Sequence, residues 1–239
     1  RQWEHRRLKL LWQLSQGEVP CLVATVEALQ QRTLPPAVLA SACRVLEPGR
    51  SVDLDQLTQA LAAAGYTRCD QVEGPGQFAL RGGILDVFSP AMDAPVRAEF
   101  WGDELDTMGA FDPATQRRTE NVDRAVLLPA AEALPQLTPG GLSALLNGLD
   151  QLAERARRDG NEALAATLQQ DRDALGEGRS FPAADRYLPL IYPQEATAAD
   201  YLPLDACVLF SESSRVGERA RTYQWQLEED VKTLLERGE

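Results

Sequence analysis

The chain has 239 residues, 44% of them apolar and 25% charged, with a formal net charge of −12. That suits one large or two small globular domains, and no run approaches the ~18 apolar residues of a membrane span. The acidic balance argues against a chain that clamps nucleic acid by itself, because that binding neutralises phosphates with Lys and Arg. The charge is uneven: residues 1–43 carry five basic and three acidic groups, residues 44–130 eight and fourteen, and residues 131–239 eleven and nineteen. Only Lys9 and Lys232 are lysines among the 24 basic residues, an Arg bias that coding preference explains. Cys21, Cys43, Cys69 and Cys207 lack C-x-x-C spacing, so they read as free thiols of a reducing cytosol and not as zinc ligands. The chain opens at Arg1 inside a polar, helix-like stretch without an initiator Met or signal sequence, as expected of an excised part of a longer protein.

In chain order, Trp3, Leu8, Leu11, Trp12 and Leu14 predict a helix over residues 2–16 with one buried face, stopped at Gly17. Pro20 to Ala24 is apolar without alternation, as in a buried parallel strand. Thr25 then caps a short helix from Val26 to Arg32. A sheet with one strand is incomplete, so its partners come either from before Arg1 or from the chain's far end. Pro35-Pro36 breaks the pattern, and Arg44 to Arg50 reads as a connector. Asp53, with Gln56 three residues on, caps a helix whose Leu54, Leu57 and Leu61 share a face and which Gly65 ends.

Gly65 to Pro129 alternates apolar and polar residues between Gly-Pro, Gly-Gly, Gly-Asp and Asp-Pro turns, which predicts a meander of antiparallel strands. On its strand Val96–Trp101, Val96, Ala98 and Phe100 point inward, while Arg97, Glu99 and Trp101 point outward. Trp and Arg on a solvent-facing sheet are residue types enriched at binding hot spots. Two plainer readings stay open: Arg97 can pair with Glu99 or Asp86, and a neighbouring domain can cover Trp101. Residues 140–176 predict a helical hairpin split at Gly160, with Leu145, Leu149, Leu152 and Ala156 on one stripe and Leu164, Leu168 and Leu175 on the other. Tyr187 to Tyr192 and Cys207 to Phe210 are two further short apolar runs, and a final helix covers residues 215–237.

Catalytic patterns are thin. No Gly-Lys dipeptide offers a phosphate loop, and the glycines of Gly74-Pro75-Gly76 and Arg81-Gly82-Gly83 lie between strands, where turns or bulges need them. His5, the only histidine, sits on a charged helix face and reads as a surface residue. Asp103, Glu104 and Asp106 follow Gly102 at a hairpin tip, and Asp112-Pro113 is a turn, so neither reads as a metal site.

The runs DQVEGPGQFALRGGILDVF, PVRAEFWGDELD, FDPATQRR and VLLPA resemble the bacterial transcription-repair coupling factors, and more loosely the excision-repair protein UvrB. EHRRLKLLWQL and LVATVEALQQRTLPP resemble the end of the family's first subdomain, and YLPLIYP, DYLP and VLFSESS the last strands of its third, so the resemblance covers essentially the whole chain. The resemblance implies a UvrB-like module of the α/β class: a discontinuous, degenerate helicase-like α/β domain with an inserted α+β antiparallel-sheet domain. Residues 1–43 would be the C-terminal part of domain 1A, residues 44–130 the inserted domain 2, and residues 131–239 domain 1B. It implies a cytoplasmic, monomeric, non-catalytic module without cofactor or metal that recruits UvrA to stalled RNA polymerase in nucleotide excision repair. RNA polymerase and DNA would be partners of the full-length protein. The UvrA contacts of the family fall on Arg81, Arg97 and Trp101, the last often Phe in the family. The alternative is a fragment of a UvrB-like, ATP-dependent damage-verification domain. Against it, Ser211-Glu212 stands where UvrB has the Asp-Glu pair that serves its Mg²⁺-nucleotide site.

Overall fold

The computed structural model describes residues 2–178 and 184–237. Helix α1 (Gln2–Ser15) buries Leu8, Leu11 and Leu14 and ends where Gly17 turns to φ +69°. Trp3 stays exposed, whereas His5 is buried, contrary to its expected surface place. Pro20 to Ala24 joins no ladder and is largely exposed, so the expected strand does not form. Helix α2 (Val26–Gln30) follows, with Thr25 accepting from the Ala28 amide. Pro36 opens helix α3 (Pro36–Ala42), because a proline in the first turn lacks only a hydrogen that has no partner there.

The expected connector contains strand β1 (Arg44–Leu46). Helix α4 (Leu54–Ala63) is capped by Asp53, whose Oδ1 accepts from the Gln56 amide at 2.9 Å, and it buries Leu57 and Leu61. Strands β2 (Thr67–Arg68), β3 (Gln77–Arg81), β4 (Ile84–Phe88), β5 (Val96–Trp101), β6 (Glu104–Phe111) and β7 (Arg118–Asn121) form a six-stranded sheet in sequence order. Every pairing is antiparallel except β2 with β3. Strand β8 (Ala125–Leu127) leaves the sheet and pairs antiparallel with β1, closing the module at its neck. Gly65 is required at the end of α4: its φ is +85°, and a Cβ there would stand 2.8 Å from the Ala131 Cβ.

Helices α5 (Gly141–Arg158) and α6 (Glu162–Gly176) make the predicted hairpin, turning at Gly160. On α5, Leu145, Leu149, Ala153 and Ala156 are buried, while Leu152 is partly exposed. Tyr187 to Tyr192 forms not a strand but a 3₁₀ turn running into helix α7 (Leu188–Ile191), and the DYLP run likewise starts in a 3₁₀ turn (Ala198–Tyr201) and not in a strand. Cys207 to Phe210 joins no ladder and is exposed, and helix α8 (Ser213–Arg237) ends the described chain. Among the described residues the fold is therefore mixed α/β with two sheets.

Two main cores organise it. One draws on both ends of the chain: Leu8, Leu11, Leu14, Leu34 and Leu39 pack with Leu134, Leu145, Leu149, Tyr187, Ile191 and Tyr201. The other lies between α4 and the inner face of the six-stranded sheet, from Leu57, Leu61 and Phe78 to Leu85, Val96, Ala98, Leu105 and Met108. Among the described residues no helix is long and apolar enough to cross a membrane.

Candidate functional site

Alternation divides the six-stranded sheet. Phe78, Leu85, Val87, Val96, Ala98 and Phe100 face the core with α4. Arg81, Ile84, Asp86, Arg97, Glu99 and Trp101 therefore share the other face. A register shift between Glu99 and Phe100 skips Asp106 on β6, so alternation along β5 is unbroken and Trp101 keeps the face of Arg97. Arg81 ends β3 beside the Gly82-Gly83 turn, and Trp101 ends β5 beside the Gly102-Asp103 turn. These two hairpin tips are neighbours: the Phe100 amide donates to the Gly83 carbonyl at 2.8 Å. A Cβ on Gly83 would meet the Phe100 carbonyl oxygen at 2.8 Å, so only glycine allows that approach.

Trp101 is 86% exposed. The two arginines are held, not free. Asp86, 1% exposed, lies directly opposite Arg97 in the β4–β5 register. Arg97 donates to it twice, from Nε to Oδ1 at 2.7 Å and from Nη2 to Oδ2 at 2.8 Å. Arg81 donates from Nη2 to the same Oδ2 at 2.9 Å. The Arg97 guanidinium also sits 4.8 Å over the centre of the Phe111 ring and points Nη1 at the Gln116 carbonyl. Its side chain is 23% exposed, and that of Arg81 is 58% exposed. The hydrogen bonds to Asp86 push the Arg97 pKa further up, so its charge is permanent. Of the two carboxylates open to Arg97 in the sequence, the register selects Asp86; Glu99 pairs with Arg118 instead. The outer face is partly roofed as well: Val72, Ala79, Phe88 and Phe111 form a small third core that alternation alone does not reveal.

The resulting face carries a flat exposed indole and two guanidiniums held around one buried carboxylate. Such a patch suits a protein surface carrying carboxylates and an apolar recess. Among the described residues, no group of His, Cys, Asp and Glu is placed to hold a metal ion. Asp112 has turn work to do, with its Oδ1 accepting from the Thr115 amide at 2.7 Å.

A model of the UvrB interaction domain matches residues 45–132, the stretch that carries this patch. The transcription-repair-coupling factor of Bacillus subtilis (strain 168) is 30% identical over 236 residues, 98% of this chain and 20% of that protein. Its counterpart in Myxococcus xanthus is 33% identical over 225 residues, 92% of this chain and 18% of that protein. The chain belongs to the transcription-repair-coupling factor family. It spans about a fifth of the length of the family members it matches.

This family member also contains a polar joint between its two main cores. Glu132, just after the neck strand β8, is fully buried. Its Oε1 accepts from Arg7 Nε at 2.6 Å and its Oε2 from Thr33 Oγ1 at 2.8 Å, while its amide donates to Glu4 Oε1 at 2.9 Å. His5 Nε2 donates to the Ala130 carbonyl at 2.9 Å, which is the work of the residue expected on the surface. Burial raises the Glu132 pKa above its usual 4.5, against the opposing pull of Arg7 and Thr33. A raised carboxylate binds more protons folded than unfolded, so its contribution to stability is full below pH 4.5 and is lost as pH rises through the folded pKa. Urea denaturation of wild type and Glu132→Gln, run in parallel between pH 4.5 and pH 7, should show the wild type losing stability relative to the variant as pH rises. A difference that stays constant with pH would contradict this.

Proposed function

We propose that this chain is the UvrA-docking module of a transcription-repair coupling factor, recruiting UvrA to stalled RNA polymerase in nucleotide excision repair. The observation that carries the reading is the bare Trp101 indole beside two anchored arginines, inside the stretch matching a UvrB interaction domain. Arg81, Arg97 and Trp101 make the contact, and no catalysis is asked of the module. RNA polymerase and DNA engage the rest of the full-length protein, in the bacterial cytoplasm. Capture of purified UvrA on the immobilised chain tests the reading. Wild type should retain UvrA, and Arg81→Ala, Arg97→Ala and Trp101→Ala should each retain much less. Equal retention by all four, each verified as folded, would sink it.

The proposal extends to the architecture. Residues 1–43 and 131–239 form one discontinuous α/β domain of degenerate helicase type, and residues 44–130 are inserted into it. The core shared by both chain ends supports this, as does the separate core beneath the six-stranded sheet. Pro20 to Ala24 and Cys207 to Phe210 are strands of that domain whose pairing needs further segments of the full protein; Val23, Leu209 and Phe210 are otherwise left facing water. Amide exchange checks this, since both segments should be protected in a full-length protein and unprotected in this chain.

A further inference from the structure

We infer that Asp86 is a positioning residue of the docking patch, holding both guanidiniums in the arrangement a partner meets. This rests on the UvrA-docking reading and assigns that face a residue beyond its three contacts.

The geometry comes from the sheet itself. Ala79, Asp86, Arg97 and Gly109 stand in one row across β3, β4, β5 and β6. The flanks of the row are the two smallest residues, so the carboxylate can lie flat against the strands and stay buried while two long side chains close over it. One carboxylate serving two guanidiniums leaves a net charge of about one positive unit, which is the attraction a carboxylate on a partner feels. The two arginines divide the work. Arg97 spends Nε and Nη2 on Asp86, lies over Phe111 and offers only an edge. Arg81 gives Asp86 a single nitrogen and keeps its other donors for a partner. Without the carboxylate, the like charges of Arg81 on β3 and Arg97 on β5 repel across β4, and both side chains regain rotamer freedom that binding must then remove. Asp86 itself touches no partner, since it lies beneath the groups it holds.

The test uses the whole chain, purified UvrA and titration calorimetry, with thermal denaturation as the fold control. Asp86→Asn keeps the shape but has one accepting oxygen and no charge, and it should weaken UvrA binding about tenfold. In an Arg81→Ala, Arg97→Ala background the same Asn substitution should change the remaining affinity less than about twofold, because the groups it acts through are gone. A role in folding alone would not vanish in that background. If the Asn chain does not fold, Asp86→Glu replaces it: the charge stays, the extra methylene displaces both guanidiniums, and binding should fall about threefold or more. Wild-type or tighter binding by a folded Asn variant, or by the Glu variant where Asn fails, overturns the inference. If Arg81→Ala, Arg97→Ala and Trp101→Ala lose UvrA while Asp86→Asn keeps it, this inference alone falls. If those three variants bind as wild type does, the docking reading falls and takes this one with it.

Discussion

Trp101→Ala should reduce the affinity for UvrA by about 30- to 1,000-fold while leaving the thermal midpoint of the chain where it was. The two halves of that result have one cause. At 86% exposure the indole packs against almost nothing in this chain, so truncating it removes little folding energy. The same exposure leaves the ring's full apolar area to be buried by a partner, and a central Trp anchor is worth about 2–4 kcal/mol at an interface. The arginines sharpen the effect, since fixed cations beside a flat ring add direction to an otherwise unspecific apolar contact. Trp101→Phe should keep most of the binding, because a smaller flat ring fills the same recess. Calorimetric titration of UvrA with each variant, beside thermal melts, gives both numbers. An Ala variant that binds as wild type does would remove Trp101 from the contact.

Phe111→Ala should cost about 3–5 kcal/mol of folding stability, a large share of what a domain of this kind possesses. Phe111 ends β6 with no exposed surface and packs with Val72, Ala79 and Phe88 on the outer face of the sheet. Its removal leaves a cavity under the loop that carries Val72 and takes away the ring beneath the Arg97 guanidinium. Phe111→Leu should cost far less, since most of the volume is kept. Urea denaturation followed by tryptophan fluorescence measures both. An Ala variant within about 1 kcal/mol of wild type would show that the outer-face core contributes little. Because Arg97 rests on this ring, the folded Ala variant should also bind UvrA more weakly than wild type.

The meander was legible because its signals are local. Alternation along Val96–Trp101 and the glycine-bounded turns place Arg97 and Trp101 on one face without reference to any distant residue. The Asp53 cap, the Gly17 and Gly65 stops and the turn at Gly160 were legible for the same reason. The apolar runs at Pro20–Ala24 and Cys207–Phe210 misled because a strand exists only through its partner's backbone, and none of the described residues pairs with them. Tyr187–Tyr192 misled differently: a run of six apolar residues fits a buried helical turn as well as a strand. His5 reads as surface beside its charged neighbours, yet its ring reaches a carbonyl 125 positions away.

The same division runs through the patch. The amino-acid order by itself determined which side chains leave the sheet on its outer face, since that depends only on the two-residue pleat. Which of them would stay mobile was decided by tertiary structure. The choice of Asp86 over Glu99, the seat on Phe111 and the shared grip on Arg81 depend on how four strands align side by side. Strand alignment is settled by the packing of the whole sheet, which no single strand encodes.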